Sequence, residues 1–87
     1  MTYTRNNNMD FIPSGDGALV VFDPGSSNTY ILSDVGADIM SCVDPVTTED
    51  AILDRLAVLY TADQEEMRPD VAEFLADMVE KGVLIAK

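Results

Sequence analysis

The chain has 87 residues, of which 47% are hydrophobic and 24% are charged, so it is long enough for one domain and too short for two. Five basic residues against sixteen acidic ones give a net charge of −11, which repels phosphate backbones and anionic lipids and argues against nucleic acid or a membrane as a partner. No apolar run approaches the roughly 20 residues that span a bilayer, and the start of the chain is too polar for a signal peptide, so we expect a cytoplasmic protein.

The first part of the chain has no repeating apolar pattern. Residues 1–10 are polar and include the run Asn6-Asn7-Asn8, a composition that is typical of chain termini. We expect residues 1–16 to form a flexible or weakly ordered N-terminal segment, either a frayed tail or a weakly docked first strand. A folded domain over residues 17–87 is expected to follow it.

A β-hairpin is predicted next. Residues 18–22 (ALVVF) and 29–32 (TYIL) are β-branched and aromatic runs that favour strands. The residues between them include Pro24 and Gly25 together with Asn, Asp and Ser, all of which are common in turns. The simplest arrangement is two antiparallel strands joined by a loop, with the second strand leading into the helices.

Two helices are predicted after the hairpin. Ser33 is placed to cap a first helix that begins at Asp34, and Pro45 is expected to end it. Thr47 is the expected N-cap of a second helix, because Glu49 follows in the first turn, where the helix dipole favours negative charge. The apolar sides consist of Val35, Ile39, Met40 and Val43 in the first helix and of Ile52, Leu53, Leu56, Ala57 and Tyr60 in the second.

The third helix has the clearest pattern. Pro69 stands near its expected first turn, and the apolar residues that follow match the i, i+3, i+4, i+7, i+8 spacing of a helix that buries one face. Gly82 is expected to end this helix in a left-handed conformation, after which residues 83–85 pack back on the core as a short extended tail. The apolar face consists of Val71, Phe74, Leu75, Met78 and Val79.

The order of strands before helices, without βαβ alternation, predicts an α+β fold. We expect one small antiparallel β-sheet packed on three α-helices, an arrangement that resembles a winged helix-turn-helix. Such a fold does not by itself indicate a function.

The sequence offers little for catalysis or metal binding. It has no histidine, and its single cysteine, Cys42, lies beside Val43 in an apolar stretch, where we expect a buried core residue and not a nucleophile. The acids within residues 44–54 lack the glycine and the spacing of a calcium loop, and the glycines form no nucleotide-binding motif. We therefore expect no enzymatic activity, no catalytic residue, no metal and no cofactor.

Surface complementarity remains as the basis of function. If residues 29–32 form the edge of the sheet, their outer N–H and C=O groups can pair with an extended peptide. Four or five such hydrogen bonds contribute about 0.5–1.5 kcal/mol each, whereas a micromolar complex needs about 8 kcal/mol net of association costs, so apolar side chains of the peptide must also be buried. The expected place is a groove between this strand and the third helix, with Phe74 at its floor.

The third helix also carries acids on its outer side. Their spacing leaves two interpretations open, a solvated acidic face and a surface that attracts Lys or Arg of a partner. These acids are Asp70, Glu73, Asp77 and Glu80.

A series of short motifs, in this order along the chain, resembles the PqqD-like family of precursor-peptide recognition elements. The motifs lie within residues 17–84 and are Val20-Val21-Phe22-Asp23-Pro24, Tyr30-Ile31-Leu32-Ser33, Gly36 with Ile39 and Met40, Thr47 with Ile52 and residues 56–60, Asp70-Val71, Phe74-Leu75 and Gly82-Val83-Leu84. The chain departs from the family pattern at Ser33, where Asn is usual, at Met40, where an aromatic residue is frequent, and at Pro45, where Gly is frequent.

The resemblance implies a stand-alone domain that binds the leader segment of a ribosomally synthesised precursor peptide by strand addition. It also implies a separate modifying enzyme as a partner, such as a radical S-adenosylmethionine enzyme or a leader peptidase. When the binding positions of the family are transferred to this sequence, they fall on the second strand of the hairpin and on the third helix. The implied peptide-binding residues are Asn28, Thr29, Tyr30, Ile31, Leu32, Asp70, Glu73, Phe74 and Asp77.

Two other functions stay open at this point. A winged-helix regulator that binds DNA is disfavoured, because the basic residues on or near the third helix are limited to Arg68 and Lys81. An acidic carrier protein is the second of these functions. Such carriers resemble one another around an Asp-Ser-Leu motif at the start of a helix, whereas this chain has Leu32-Ser33-Asp34, in the wrong order. An exposed strand edge also leaves a homodimer as an alternative.

Overall fold

A computed structural model describes residues 1–43 and 46–87. The prediction that Pro45 ends the first helix falls outside the described residues. The described elements, in chain order, are β1 (Thr2–Arg5), β2 (Asp10–Pro13), β3 (Leu19–Asp23), β4 (Asn28–Leu32), α1 (Asp34–Ser41), β5 (Val46–Thr48), α2 (Glu49–Tyr60), α3 (Gln64–Glu80) and β6 (Leu84–Ala86).

The α+β class is confirmed, but the strands form two sheets instead of the single one that we expected. One sheet has the order β5-β1-β6 and the other has the order β2-β3-β4, and every strand pair in them is antiparallel. The resemblance to a winged helix-turn-helix stays a prediction. None of the described helices is both long enough and apolar enough to cross a bilayer.

The N-terminal segment forms regular structure, so of the two expected alternatives the docked strand agrees with the structure and the frayed tail does not. Residues 1–16 contain β1 and β2, and the side chains of Tyr3 and Met9 are buried in the core. The polar Asn6 between the two strands has a structural role, because its side-chain amide donates to the carbonyl of Gly82 at 2.8 Å and its backbone N–H donates to Val83 at 3.0 Å. The polarity that indicated a tail belongs to a turn that is tied to the end of α3.

The predicted hairpin is confirmed as β3 and β4, and β2 adds a third strand to it. Val21 pairs with Tyr30 and is completely buried, while Leu32 at the end of β4 is also buried. In the loop, the carboxylate of Asp23 accepts hydrogen bonds from the N–H of Gly25 at 3.0 Å and from the hydroxyl of Ser26 at 2.8 Å. These bonds fix the reversal of the chain without help from the core.

Both predicted N-caps of the first two helices need correction. Ser33 occupies the N-cap position of α1 but makes no capping bond with its side chain, and Asp34 after it has a left-handed φ of 53°. Thr48, and not Thr47, caps α2 by accepting a hydrogen bond from the N–H of Ala51 at 3.2 Å. Thr47 is the buried middle residue of β5, a strand that was not predicted.

The third helix starts earlier than predicted. Asp63 is its N-cap and accepts a hydrogen bond from the N–H of Glu65 at 3.0 Å, so Pro69 lies inside the helix. The predicted C-terminus is confirmed, since Gly82 has a φ of 78° and the N–H of Val83 donates to Met78 at 2.9 Å in the pattern of a Schellman motif. The extended tail after Gly82 is also confirmed, as β6 of the first sheet.

The three helices and the inner sides of both sheets enclose one hydrophobic core. Cys42 lies within it, and burial raises the pKa of its thiol, so its interpretation as a core residue is confirmed. At the edge of the core, the guanidinium of Arg68 on α3 lies 3.1 Å from the carboxylates of Glu49 and Asp50, which ties α3 to the start of α2. The completely buried members of the core include Val21, Met40, Val43, Ile52, Leu53, Leu75 and Val83.

Candidate functional site

Strand β4 is the longest edge strand of the two sheets. It pairs with β3 on one side, and no described strand pairs with its other side. The edge strands β5 and β6 have three residues each, and the four-residue edge strand β2 ends at Pro13, which has no N–H to offer. The five residues of β4 therefore present the best developed open edge, where alternate residues turn both their N–H and their C=O outward.

The four expected helix residues line one open groove on the outer side of α3. Its volume is about 490 Å³, and the helix supplies all of the lining. The acids lie three or four positions apart in the helix, which places them along one face. Ala76 and Glu80 also line the groove, although they were not among the expected binding residues. The complete lining is Asp70, Glu73, Phe74, Ala76, Asp77 and Glu80.

The acids of this groove differ in their ion pairing. The ammonium group of Lys81 lies 2.5 Å from the carboxylate of Asp77, one turn away. Asp70, Glu73 and Glu80 have no ion pair with any residue that the structure describes, so their charge is available to a cationic partner. Asp77 is the weakest of the three expected acidic contacts, because its charge is already compensated.

Phe74 connects the groove with the start of α1. Its ring lies against Gly36, which follows Leu32 by one short turn at the start of α1. A Cβ atom at Gly36 would lie 3.1 Å from Cε1 of Phe74, so a larger residue there would displace the ring. The five strand residues thus form one edge and the four helix residues line one groove. No residue of β4 lines that groove, so the predicted groove between the strand and the third helix needs correction.

A second, apolar cavity adjoins the groove at Asp70, which lines both. Its volume is about 220 Å³, below the range of typical small-molecule sites, and it suits a single bulky side chain. Tyr60 is oriented there by donating a hydrogen bond to Asp38, and this bond raises the pKa of the Tyr60 phenol. The cavity is lined by Val35, Leu56, Tyr60, Ala62, Met67, Asp70 and Val71.

This cavity was not predicted from the sequence, because its lining comes from all three helices and from the loop between two of them. No local pattern of residues signals it. Val35 was assigned to the buried side of α1, yet it is 47% exposed and faces the cavity.

The described residues offer no metal centre. Among residues 1–43 and 46–87, no group of three or more His, Cys, Asp or Glu side chains is arranged to hold a metal ion. The arrangement that the structure does provide is an open strand edge, an acidic groove and an apolar cavity, a set that suits non-covalent recognition of a peptide.

Comparison with known proteins gives three results. The model of the family described as coenzyme PQQ synthesis protein D (PqqD) matches residues 18–84. Proteins named PqqA binding protein from Rhodopseudomonas palustris strains BisB5 and HaA2 are 39% identical over 51 residues, which cover 59% of this chain and 50% of each relative. The chain therefore spans about half the length of the curated relatives that it matches.

The fold has a close structural counterpart. A solved structure of TbiB1 in complex with the TbiA(beta) leader peptide matches with a TM-score of 0.84 at 19% sequence identity, over 97% of this chain and 96% of that one. This likeness shows the fold. The family match covers well over half of the sequence and coincides with β3, β4, all three helices and the start of β6. The chain belongs to the PqqD family.

Proposed function

We propose that this protein binds the leader segment of a ribosomally synthesised precursor peptide and presents it to a separate modifying enzyme. The observation that carries the proposal is the open edge of β4. The acidic groove on α3, which shares Asp70 with the apolar cavity, supports it. The names of the similar proteins support it, since one is a PqqA binding protein and another was solved with a leader peptide.

The strand residues supply the first part of the binding energy. A leader strand that pairs with β4 makes about five backbone hydrogen bonds, each contributing roughly 0.5–1.5 kcal/mol. This contribution fixes the direction and register of the peptide but carries little sequence preference, because every residue has the same backbone. Asn28, Thr29, Tyr30, Ile31 and Leu32 therefore act mainly through their main-chain atoms.

The helix side supplies the preference for particular leader residues. Asp70 and Glu73 attract a Lys or Arg side chain of the leader, and Phe74 forms the floor of the groove. The apolar cavity next to Asp70 buries one bulky apolar side chain of the same peptide. We therefore expect a leader that combines at least one basic residue with one large apolar residue at the end that lies near Leu32.

The protein itself acts without catalytic groups. It raises the local concentration of the precursor at the active site of a partner, such as a radical S-adenosylmethionine enzyme or a leader peptidase. We place it in the cytoplasm, where precursor peptides are made. The N-terminal boundary of the peptide-binding unit lies before residue 17 in this proposal, because β1 and β2 take part in the two sheets.

DNA binding is the poorer alternative for this fold. The single basic residue within α3, Arg68, is engaged by the carboxylates of Glu49, Asp50 and Glu65. The groove on the same helix is lined by four acids, so its potential repels a phosphate backbone. These contacts favour a cationic peptide over nucleic acid.

The test is leader binding to the wild type and to two matched variants. The probe is a synthetic peptide with the sequence of the leader encoded beside this gene, and its affinity is measured by isothermal titration calorimetry. Val35→Asp places a charge in the apolar cavity and is expected to lower the affinity at least tenfold. Val58→Asp, at a residue of α2 that is 82% exposed and outside the cavity, is expected to leave it unchanged. Equal affinities of both variants would contradict the role of the cavity, and absence of binding by the wild type would contradict the function.

A further inference from the structure

The central strand of the hairpin sheet has apolar residues on both of its faces. Leu19-Val20-Val21-Phe22 is a continuous apolar run, which is typical of strands that are covered on both sides. The structure covers one side, where Leu19 and Val21 are buried. Val20 and Phe22 point to the opposite face, because side chains alternate along a strand.

The neighbouring strands continue this apolar surface. Val20 pairs with Ile12 of β2 and with Ile31 of β4, so the three side chains form a row across the outer face of the sheet. Ile12 is 53% exposed and Ile31 is 72% exposed. An antiparallel sheet whose outer face meets only water usually carries polar residues there. We call Ile12, Val20 and Ile31 the outer apolar row.

The charge of the chain argues against a homodimer through this face. Two copies would bring together two chains that each carry a net charge of −11. Self-association through this face is therefore unfavourable.

The surroundings of the outer apolar row indicate a basic partner. Asp10 lies on the same face beside Ile12, and Asp16 lies in the loop between β2 and β3. The hydroxyl of Ser14 donates to Asp16 at 2.5 Å and lowers the pKa of that carboxyl group, so it stays charged. A partner that matches this surface has an apolar patch with Lys or Arg at its border.

We propose that the outer apolar row is the surface on which the modifying enzyme docks. This inference rests on the proposed leader binding. It adds that strand β4 binds two partners through different groups. The free backbone edge of β4 takes the leader, whereas the side chain of Ile31 on the outer face contacts the enzyme. The leader is thereby held directly beside the enzyme, and neither ligand covers the other.

The test measures enzyme binding and leader binding in parallel. The probes are the peptide-modifying enzyme encoded beside this gene and the synthetic leader, each titrated against the full chain. Ile12→Thr and Val20→Thr keep a strand-forming residue at positions that take no part in the leader site. Together they are expected to weaken enzyme binding at least tenfold and to leave leader affinity within twofold of the wild type. Val58→Thr is the control for an exposed apolar residue on another surface, and it is expected to change neither affinity.

Each outcome decides one of the two proposals. Enzyme binding that is unchanged in the double variant, or absent in the wild type, overturns docking on the outer apolar row and leaves leader binding intact. A wild type that binds the enzyme but not the leader overturns the proposed function and does not affect the proposed docking surface. Sedimentation of the chain alone is expected to show a monomer, and a dimer that the double variant abolishes would assign the row to a second copy and contradict the inference.

Discussion

The sheet β5-β1-β6 joins three segments that are distant in the sequence, whereas the sheet β2-β3-β4 joins consecutive strands. In the first, β1 is paired on both sides, and the flanking strands are only three residues long. In the second, β4 offers five residues along an open edge and an exposed outer face. The comparison indicates that the two sheets have different roles. The first sheet stabilises the fold, and the second carries the proposed peptide-binding edge.

Core truncation is expected to show the largest difference between the sheets. Leu84 in β6 is 1% exposed, so Leu84→Ala should lower the free energy of unfolding by about 2–5 kcal/mol through loss of buried contacts. Ile31→Ala in β4 should lower it by less than about 1 kcal/mol, because that side chain is 72% exposed. Urea unfolding followed by circular dichroism measures both values. Equal losses of unfolding free energy in the two variants would contradict the different roles of the two sheets.

The two capping positions provide a smaller contrast. Thr48, at the end of β5, caps α2 with its hydroxyl, so Thr48→Ala should cost about 1 kcal/mol of stability. Ser33, after the end of β4, makes no capping bond with its side chain, and Ser33→Ala should cost less than about 0.5 kcal/mol. Thermal unfolding of the two variants measures the difference, and a larger loss at Ser33 would contradict the assigned caps.

The acids of the groove are expected to have the smallest effects. Asp70→Asn and Glu73→Gln should each weaken leader binding by two- to fivefold, the range of exposed ion pairs. Asp77→Asn should weaken it less, because Lys81 already pairs with that carboxylate. Glu66→Gln is the control on the same helix outside the groove. Titration at low and high salt gives the check, since an affinity that is independent of salt would mean that the acids form only a solvated face.

The local elements could be predicted from the sequence. The hairpin follows from two β-branched runs around Pro24 and Gly25, and the end of α3 follows from Gly82. Both features depend on residues that are close in the chain. The α+β class could be predicted for the same reason, because it needs only the order of such elements.

The features that depend on distant residues could not be predicted. β1 and β5 are short, and each becomes a strand only through its partners, so β5 was not predicted and the polar run at Asn6 was assigned to a weakly ordered segment. The start of α3 was placed too late because Pro69 is a common first-turn residue, whereas Asp63 supplies the actual cap. The apolar cavity requires three helices at once, and no local pattern signals such a site.

Hydrogen exchange of the β4 amides tests the open edge most directly. In the free protein, the amides of residues 28–32 that face away from β3 should exchange rapidly, while the amides of β1, paired on both sides, should exchange slowly. Saturating leader peptide should slow the outward amides of β4 at least tenfold and leave those of β1 unchanged. Outward amides that are already protected in the free protein, or that stay unprotected with the leader bound, would contradict strand addition on β4.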